Sequence, residues 1–192
     1  FMRLHGPTKS TTLGVGGVIS GSYSLNKAGA GALTLSGDNT FNGGVTHNSS
    51  GGQLNMGHAN ALGSGTYTIG GASTTFDNSS GGSLTIPNAF TMIGGSPTFA
   101  GSNPLTIGGG VTISGANRSL TVSGSTLTLG GVVTDGASSY TLTKAGVGTL
   151  TLNGNNTFDG GVTITAGTLN IGHANALGTG TLTTGGNTFD NT

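Results

Sequence analysis

One passage of this chain occurs twice, and that repetition restricts the possible folds more than any other feature. Residues 25–46 read LNKAGAGALTLSGDNTFNGGVT, and from Leu142 the chain reads LTKAGVGTLTLNGNNTFDGGVT. The register holds from Lys27/Lys144 through Phe41/Phe158 to Thr46/Thr163. The second copy is then two residues shorter, lacking part of the HNSSGG stretch. Agreement resumes as QLNMGHANALGSGTYT from Gln53 and TLNIGHANALGTGTLT from Thr168, and both copies later reach TFDN, at Thr75–Asn78 and Thr188–Asn191. Looser units lie between them: SLTIPNAF, NPLTIGGG, VTISG, SLTVSG and TLTLGG. A chain that repeats itself over a few tens of residues builds stacked units that bury a common core only when neighbours are in place.

Each short unit alternates. In GTLTL (residues 148–152), Leu150 and Leu152 share one face, and Thr149 and Thr151 the other. That is strand periodicity, and Thr, Val, Ile and Leu suit a half-buried pleated surface. Clusters of Gly, Asn, Asp and Ser between the units supply turns. HANALG reads as one helical or 3₁₀ turn at most, closed by Gly63 or Gly178. Short one-sided strands fit either an antiparallel sandwich or a coiled solenoid. The solenoid is favoured because the register recovers after an insertion, as it does when each coil meets only its neighbours. The expected fold is all-β: a parallel β-helix (β-solenoid) of about eight or nine coils of roughly 20–25 residues, about 40 Å long at the ~4.8 Å strand spacing. Leu33, Leu35, Leu54, Met56, Ile69, Leu150, Leu152, Leu169 and Ile171 should stack inside, with Phe41 and Phe158 filling one corner. The organisation is read as a single solenoid segment over 1–192, with a ragged start at 1–17, copy one at 18–78, intermediate coils at 79–131 and a truncated copy two at 132–192.

Composition narrows the function. Of 192 residues 41 are Gly, there is no Cys, and five Lys and Arg balance five Asp, giving zero formal net charge. Such a chain lacks the basic face that nucleic acid requires, and it lacks a polybasic membrane patch. No apolar run approaches the ~18–20 residues of a membrane helix, and no signal segment is visible at Phe1. Without Cys there are no disulfides, so stability has to come from the repetitive core.

The order and spacing L-x-K-x-G-x-G-x-L-x-L-x-G-x-N-x-F-x-G-G-x-T, then G-x-L-x-(I/L/M)-G, then A-L-G-x-G, covers residues 25–68 and 142–183. It resembles the autotransporter passenger-associated repeat. The resemblance implies a right-handed parallel β-helix exported by type V secretion, either attached to the outer membrane through a translocator or secreted. It also implies a stalk role at the bacterial surface. No outer-membrane barrel pattern follows in this sequence, and residues 1–11 match no coil.

Chemistry is sparse. His58 and His173 hold the same place in HANALG, about five coils and roughly 25 Å apart, too far to share a metal. With His47 in the insertion and His5 near the start, all four histidines are expected in solvent-facing turns. The carboxylates are Asp38, Asp77, Asp135, Asp159 and Asp190. Asp38 aligns with Asn155 and Asp159 with Asn42, as turn hydrogen bonding permits. With no Glu and scattered Asp, the chain is expected to be no enzyme, to bind no metal and to need no cofactor. Calcium β-roll nonapeptides and phosphate-loop spacing are both missing. Lys27 and Lys144, beside glycine-rich loops, are expected to be solvated. The candidate surface feature is a set of Thr-x-Thr pairs: Thr66/Thr68, Thr126/Thr128, Thr141/Thr143, Thr149/Thr151, Thr163/Thr165 and Thr181/Thr183. Aligned on one face they would form a ladder for carbohydrate or ice, although strand chemistry alone also puts Thr outward. The expected role is therefore structural: an extracellular stalk or fibre segment, with itself or neighbouring repeats as end-to-end partner. The alternative is an adhesin passenger with a carbohydrate- or ice-binding Thr/Asn face.

Overall fold

The computed structural model describes residues 2–5, 11–48, 52–185 and 188–191, with 2–5 and 188–191 as strand backbone. Within these, 22 strands of two to five residues form three sheets of seven, nine and six strands. Every pairing between them is parallel. Each strand pairs with a strand one coil away, at offsets from 19 residues (Thr149 with Thr168) to 24 (Arg118 with Leu142). Hydrogen bonds therefore run along the axis from coil to coil, and the fold is a β-solenoid with three faces.

Inside, like stacks on like. The first sheet carries Leu25, Val45, Tyr67, Phe90, Val111 and Val133 in one inward column. The second carries Leu33, Leu54, Phe76 and Phe99, and the third Leu105, Leu127, Leu150 and Leu169. All of these are essentially fully buried. Tyr67, Phe76, Phe90 and Phe99 meet across the interior with ring centroids 5.4–6.1 Å apart, within the range of favourable aromatic packing. The nine aliphatic residues expected inside are all buried there, and so are Phe41 and Phe158.

The two copies do not lie on the same faces. In copy one, Leu25–Ala28 belongs to the first sheet and Ala32–Leu35 to the second. In copy two, the matching Leu142–Ala145 belongs to the second sheet and Thr149–Leu152 to the third. The copies are displaced by one face because their separation is not a whole number of coils. The side of each copy that lacks a strand moves with it. Residues 36–44 and 57–65 lie on the third sheet's side, where Asn88, just beyond the strand Leu84–Ile86, donates to the carbonyls of Gly63 and Gly65. Residues 153–161 lie on the first sheet's side, where the Thr157 amide donates to the Val133 carbonyl. His58 and His173 are thus on different faces as well as different coils.

Candidate functional site: threonine columns and inter-coil braces

The Thr-x-Thr residues divide among all three faces. Thr68 is on the first sheet, and Thr143, Thr163 and Thr183 share one column of the second. Thr128 and Thr151 pair directly on the third, where Thr149 pairs with Thr168. Thr66, Thr126, Thr141, Thr165 and Thr181 fall outside the strands. Of these, the Thr141 hydroxyl donates to the Gly160 carbonyl and that of Thr165 to the Lys144 carbonyl.

The longer columns come from a different pattern, a single Thr between two inward residues. On the first sheet Thr46, Thr68, Thr91, Thr112 and Thr134 follow one another in five successive coils. On the third sheet Thr85, Thr106, Thr128 and Thr151 do so in four. At one strand spacing per rung their hydroxyls recur about every 4.8 Å. The readable signal was the triplet (YTI, FTM, VTI, LTI, LTL), whose middle residue must point outward.

Asparagine supplies a second repeated feature, and sequence reading missed it. Asn39 is buried, its Oδ1 accepting from the Ile19 amide of the preceding coil at 2.7 Å. Its Nδ2 donates to the Ala61 carbonyl of the following coil at 2.7 Å. The matching Asn156 does the same, accepting from the Val133 amide at 2.7 Å and donating to the Ala176 carbonyl at 2.6 Å. Each side chain therefore ties three consecutive coils along the side that has no strand ladder. The signal was again alternation: positions 33, 35, 37, 39 and 41 are all buried although the strand stops at Leu35.

Lys27 and Lys144 are buried, not solvated. Each has the strand parity of an inward Leu, Leu25 or Leu142, and parity prevails over residue type. The Lys144 ammonium donates to the carbonyls of Ala145, Gly146 and Ala166 at 2.7–3.1 Å, and that of Lys27 to the Gly29 carbonyl at 2.8 Å. Turn carbonyls replace water as its solvent. Burial still lowers both pKa values, that of Lys144 to about 8.

The buried lysines and the asparagine braces lie in two stretches of a recognised repeat. Residues 25–46 and 142–171 match the pattern described as the passenger-associated-transport-repeat. Both stretches are passenger-associated transport repeats. The chain is also similar to the "Adhesin BmaC autotransporter" of Brucella suis biovar 1 (strain 1330), at 35% identity over 161 residues. That match takes in 79% of this chain but 4% of the adhesin, so the chain spans a small fraction of its relative. No solved structure matches it. Passenger repeats belong to the exported part of an autotransporter, which places this solenoid outside the cell, at its surface or released from it.

Copy one differs from copy two at more than one buried position, Met56 against Ile171 for example, and at one of them the chemistry changes. His47 replaces the Ile164 of copy two and points inward from the strand Val45–His47. Parity again decides, so the expectation of a solvent-facing turn histidine is corrected. Its Nδ1 lies 3.0 Å from the Tyr67 hydroxyl, and its Nε2 is buried without a hydrogen-bond partner. Burial first, then the neighbouring Lys27 charge, lowers its pKa to about 3, against a smaller opposing effect of the Gly52 backbone.

His58 and His173 do lie in the HANALG turns. In each, Nδ1 accepts from the backbone amide two residues on, at Asn60 (3.1 Å) and Asn175 (3.0 Å), and caps the turn. Gly63 and Gly178 close those turns at φ of 62° and 64°, a conformation that favours glycine. The side chains of His5 and Asp190 lie outside the described residues. Asp77 is buried, its Oδ1 accepting from the amides of Asn78, Gly101 and Ser102 and its Oδ2 from the Ser102 hydroxyl. Asp135 accepts from the Tyr140 amide at 3.0 Å. Carboxylates held in this way by turn backbone are spent on structure. Among the described residues no three His or Asp side chains gather to hold a metal.

Proposed function

We propose that this chain is a non-catalytic stalk segment of a surface adhesin, a rod that carries contact-making parts of a longer passenger away from the membrane. The observation behind this reading is the unbroken inward column of the first sheet, from Leu25 to Val133, reinforced by side chains that bind one coil to the next. Such a core resists bending, and its outward residues are small and uncharged over most rungs. The partners are then neighbouring coils of the same chain at either end, and an outer-membrane translocator that anchors the whole. Electron microscopy of the purified chain should show discrete rods about 40 Å long. Continuous fibres would overturn the stalk reading and make the chain a subunit that polymerises end to end.

The five-rung threonine column favours one further reading, a face that meets carbohydrate or ice. Exchanging Thr68, Thr91 and Thr112 together for Val keeps the strand shape and removes three hydroxyls in a row. If the face binds sugars, retention on immobilised glycans should fall at least about tenfold, the ratio for ~1.4 kcal/mol of lost hydrogen bonding. Unchanged retention, or none by the parent chain, returns these residues to strand chemistry alone.

A further inference from the structure

Two asparagines in this chain precede glycine, Asn42 and Asn153. Glycine has no Cβ to shield its backbone nitrogen, so that nitrogen can reach the side-chain amide of the preceding residue. The two sites differ in how they are held. At the first, the Gly43 amide donates to the Tyr23 carbonyl at 3.1 Å, and the Asn42 amide to the Gly21 carbonyl at 3.3 Å. At the second, the Asn153 amide donates to the Leu129 carbonyl at 3.0 Å, but the Gly154 amide has no acceptor among the described residues. The Asn153 side chain is also without a hydrogen bond, and the residue is exposed. One site has its attacking nitrogen engaged, and the other has it free.

We propose that Asn153 is a site of spontaneous deamidation in the folded solenoid, and that Asn42 is protected from the same reaction by its pairing with the preceding coil. The Gly154 nitrogen gives up its proton and bonds to Asn153 Cγ. The Cγ–Nδ2 bond breaks, and ammonia leaves from a five-membered succinimide. Water then opens the ring at either carbonyl, giving aspartate or isoaspartate, so the sum is asparagine plus water to acid plus ammonia. Asp135 and Asp159 also precede glycine, but a carboxylate is a poorer electrophile than an amide.

The location gives the reaction its consequence. Asn153 leads into the segment that carries the Asn156 brace, and Gly154 packs so closely on the Gly131 carbonyl that a Cβ would not fit. Isoaspartate adds a carbon to the main chain there and pushes the brace out of line. Aspartate adds one negative charge to a chain of zero formal net charge. At the matching place copy one has Ser36-Gly37, which cannot react, so the two copies age differently.

Peptide mapping by mass spectrometry, after incubating the whole chain in mildly alkaline buffer, tests the proposal. Asn153 should convert about tenfold faster than Asn42, the ratio expected when a hydrogen bond of ~1.4 kcal/mol must be lost on the way to attack. In urea the two sites should react at similar rates. The aged parent should then melt earlier than fresh protein, while aged Asn153→Ser, the copy-one residue, should not. Equal rates in the folded chain, faster conversion of Asn42, or no conversion of Asn153 where unfolded chain reacts would each overturn it.

Discussion

Acidification from pH 6.5 to about 3 should remove about 4 kcal/mol of stability through His47 alone, and His47→Ile should abolish that part of the loss. His47 is neutral in the folded solenoid down to the low end of that window, whereas in the unfolded chain it takes up a proton near 6.5. The unfolded state therefore binds more protons between those values. The stabilisation is fully present above pH 6.5 and is lost progressively as pH falls. The groups around the ring explain why it resists charging. Lys27 lies one coil away in the same inward column, the Tyr67 hydroxyl faces Nδ1, and Ile69 continues the column beyond. Urea midpoints at about pH 7 and about pH 4, for parent and variant, measure the effect. The substitution leaves every carboxylate in place, so the difference between the two acid slopes isolates the histidine. Identical slopes would mean that His47 reaches water or a proton acceptor in the folded state. Isoleucine is chosen because copy two places Ile164 there with the same backbone.

Asn156→Ala should cost about 3 kcal/mol, since it leaves the Val133 amide and the Ala176 carbonyl unpaired, each at ~1–3 kcal/mol when buried. Asn39→Ala should cost a similar amount by exposing the same need at Ile19 and Ala61. The sites share no partner, so the double variant should lose roughly the sum. Asn156→Asp separates the two halves of the brace. It keeps an acceptor for Val133 but turns an oxygen toward the Ala176 carbonyl, and near neutral pH it should be no more stable than the alanine variant. Denaturant midpoints with an unchanged slope would measure all three. A cost below ~0.5 kcal/mol for either alanine variant, the level of an ordinary surface change, would mean that the braces carry little load.

Alternation made most of the interior legible. Leu33, Leu35, Leu150 and Leu152 could be placed inside from a two-residue period, and Phe41 and Phe158 from their recurrence before a glycine pair. The same rule, applied without regard to residue type, would also have placed Lys27, Lys144, His47, Asn39 and Asn156 inside. Those five were misplaced or passed over because polar side chains usually lie outside. Here the partners that make burial tolerable are backbone groups of turns and of neighbouring coils, which no local window contains. The threonine columns were obscured for a related reason. Thr-x-Thr marks the outer side of one strand, but a ladder requires outward residues of successive coils, and the triplet with Thr at its centre carries that information.

The sequence by itself determined that the chain repeats, that its repeats are strands joined by glycine-rich turns, and which residues of each strand face inward. These are properties of a few neighbouring residues, and pleating dictates them wherever the strand lies. Only the tertiary structure decided which faces the two copies occupy, and so that His58 and His173 point to different sides. That outcome depends on coil length summed over every turn between the copies. A residue gained or lost at any corner moves all that follows around the axis, while each strand keeps its own alternation.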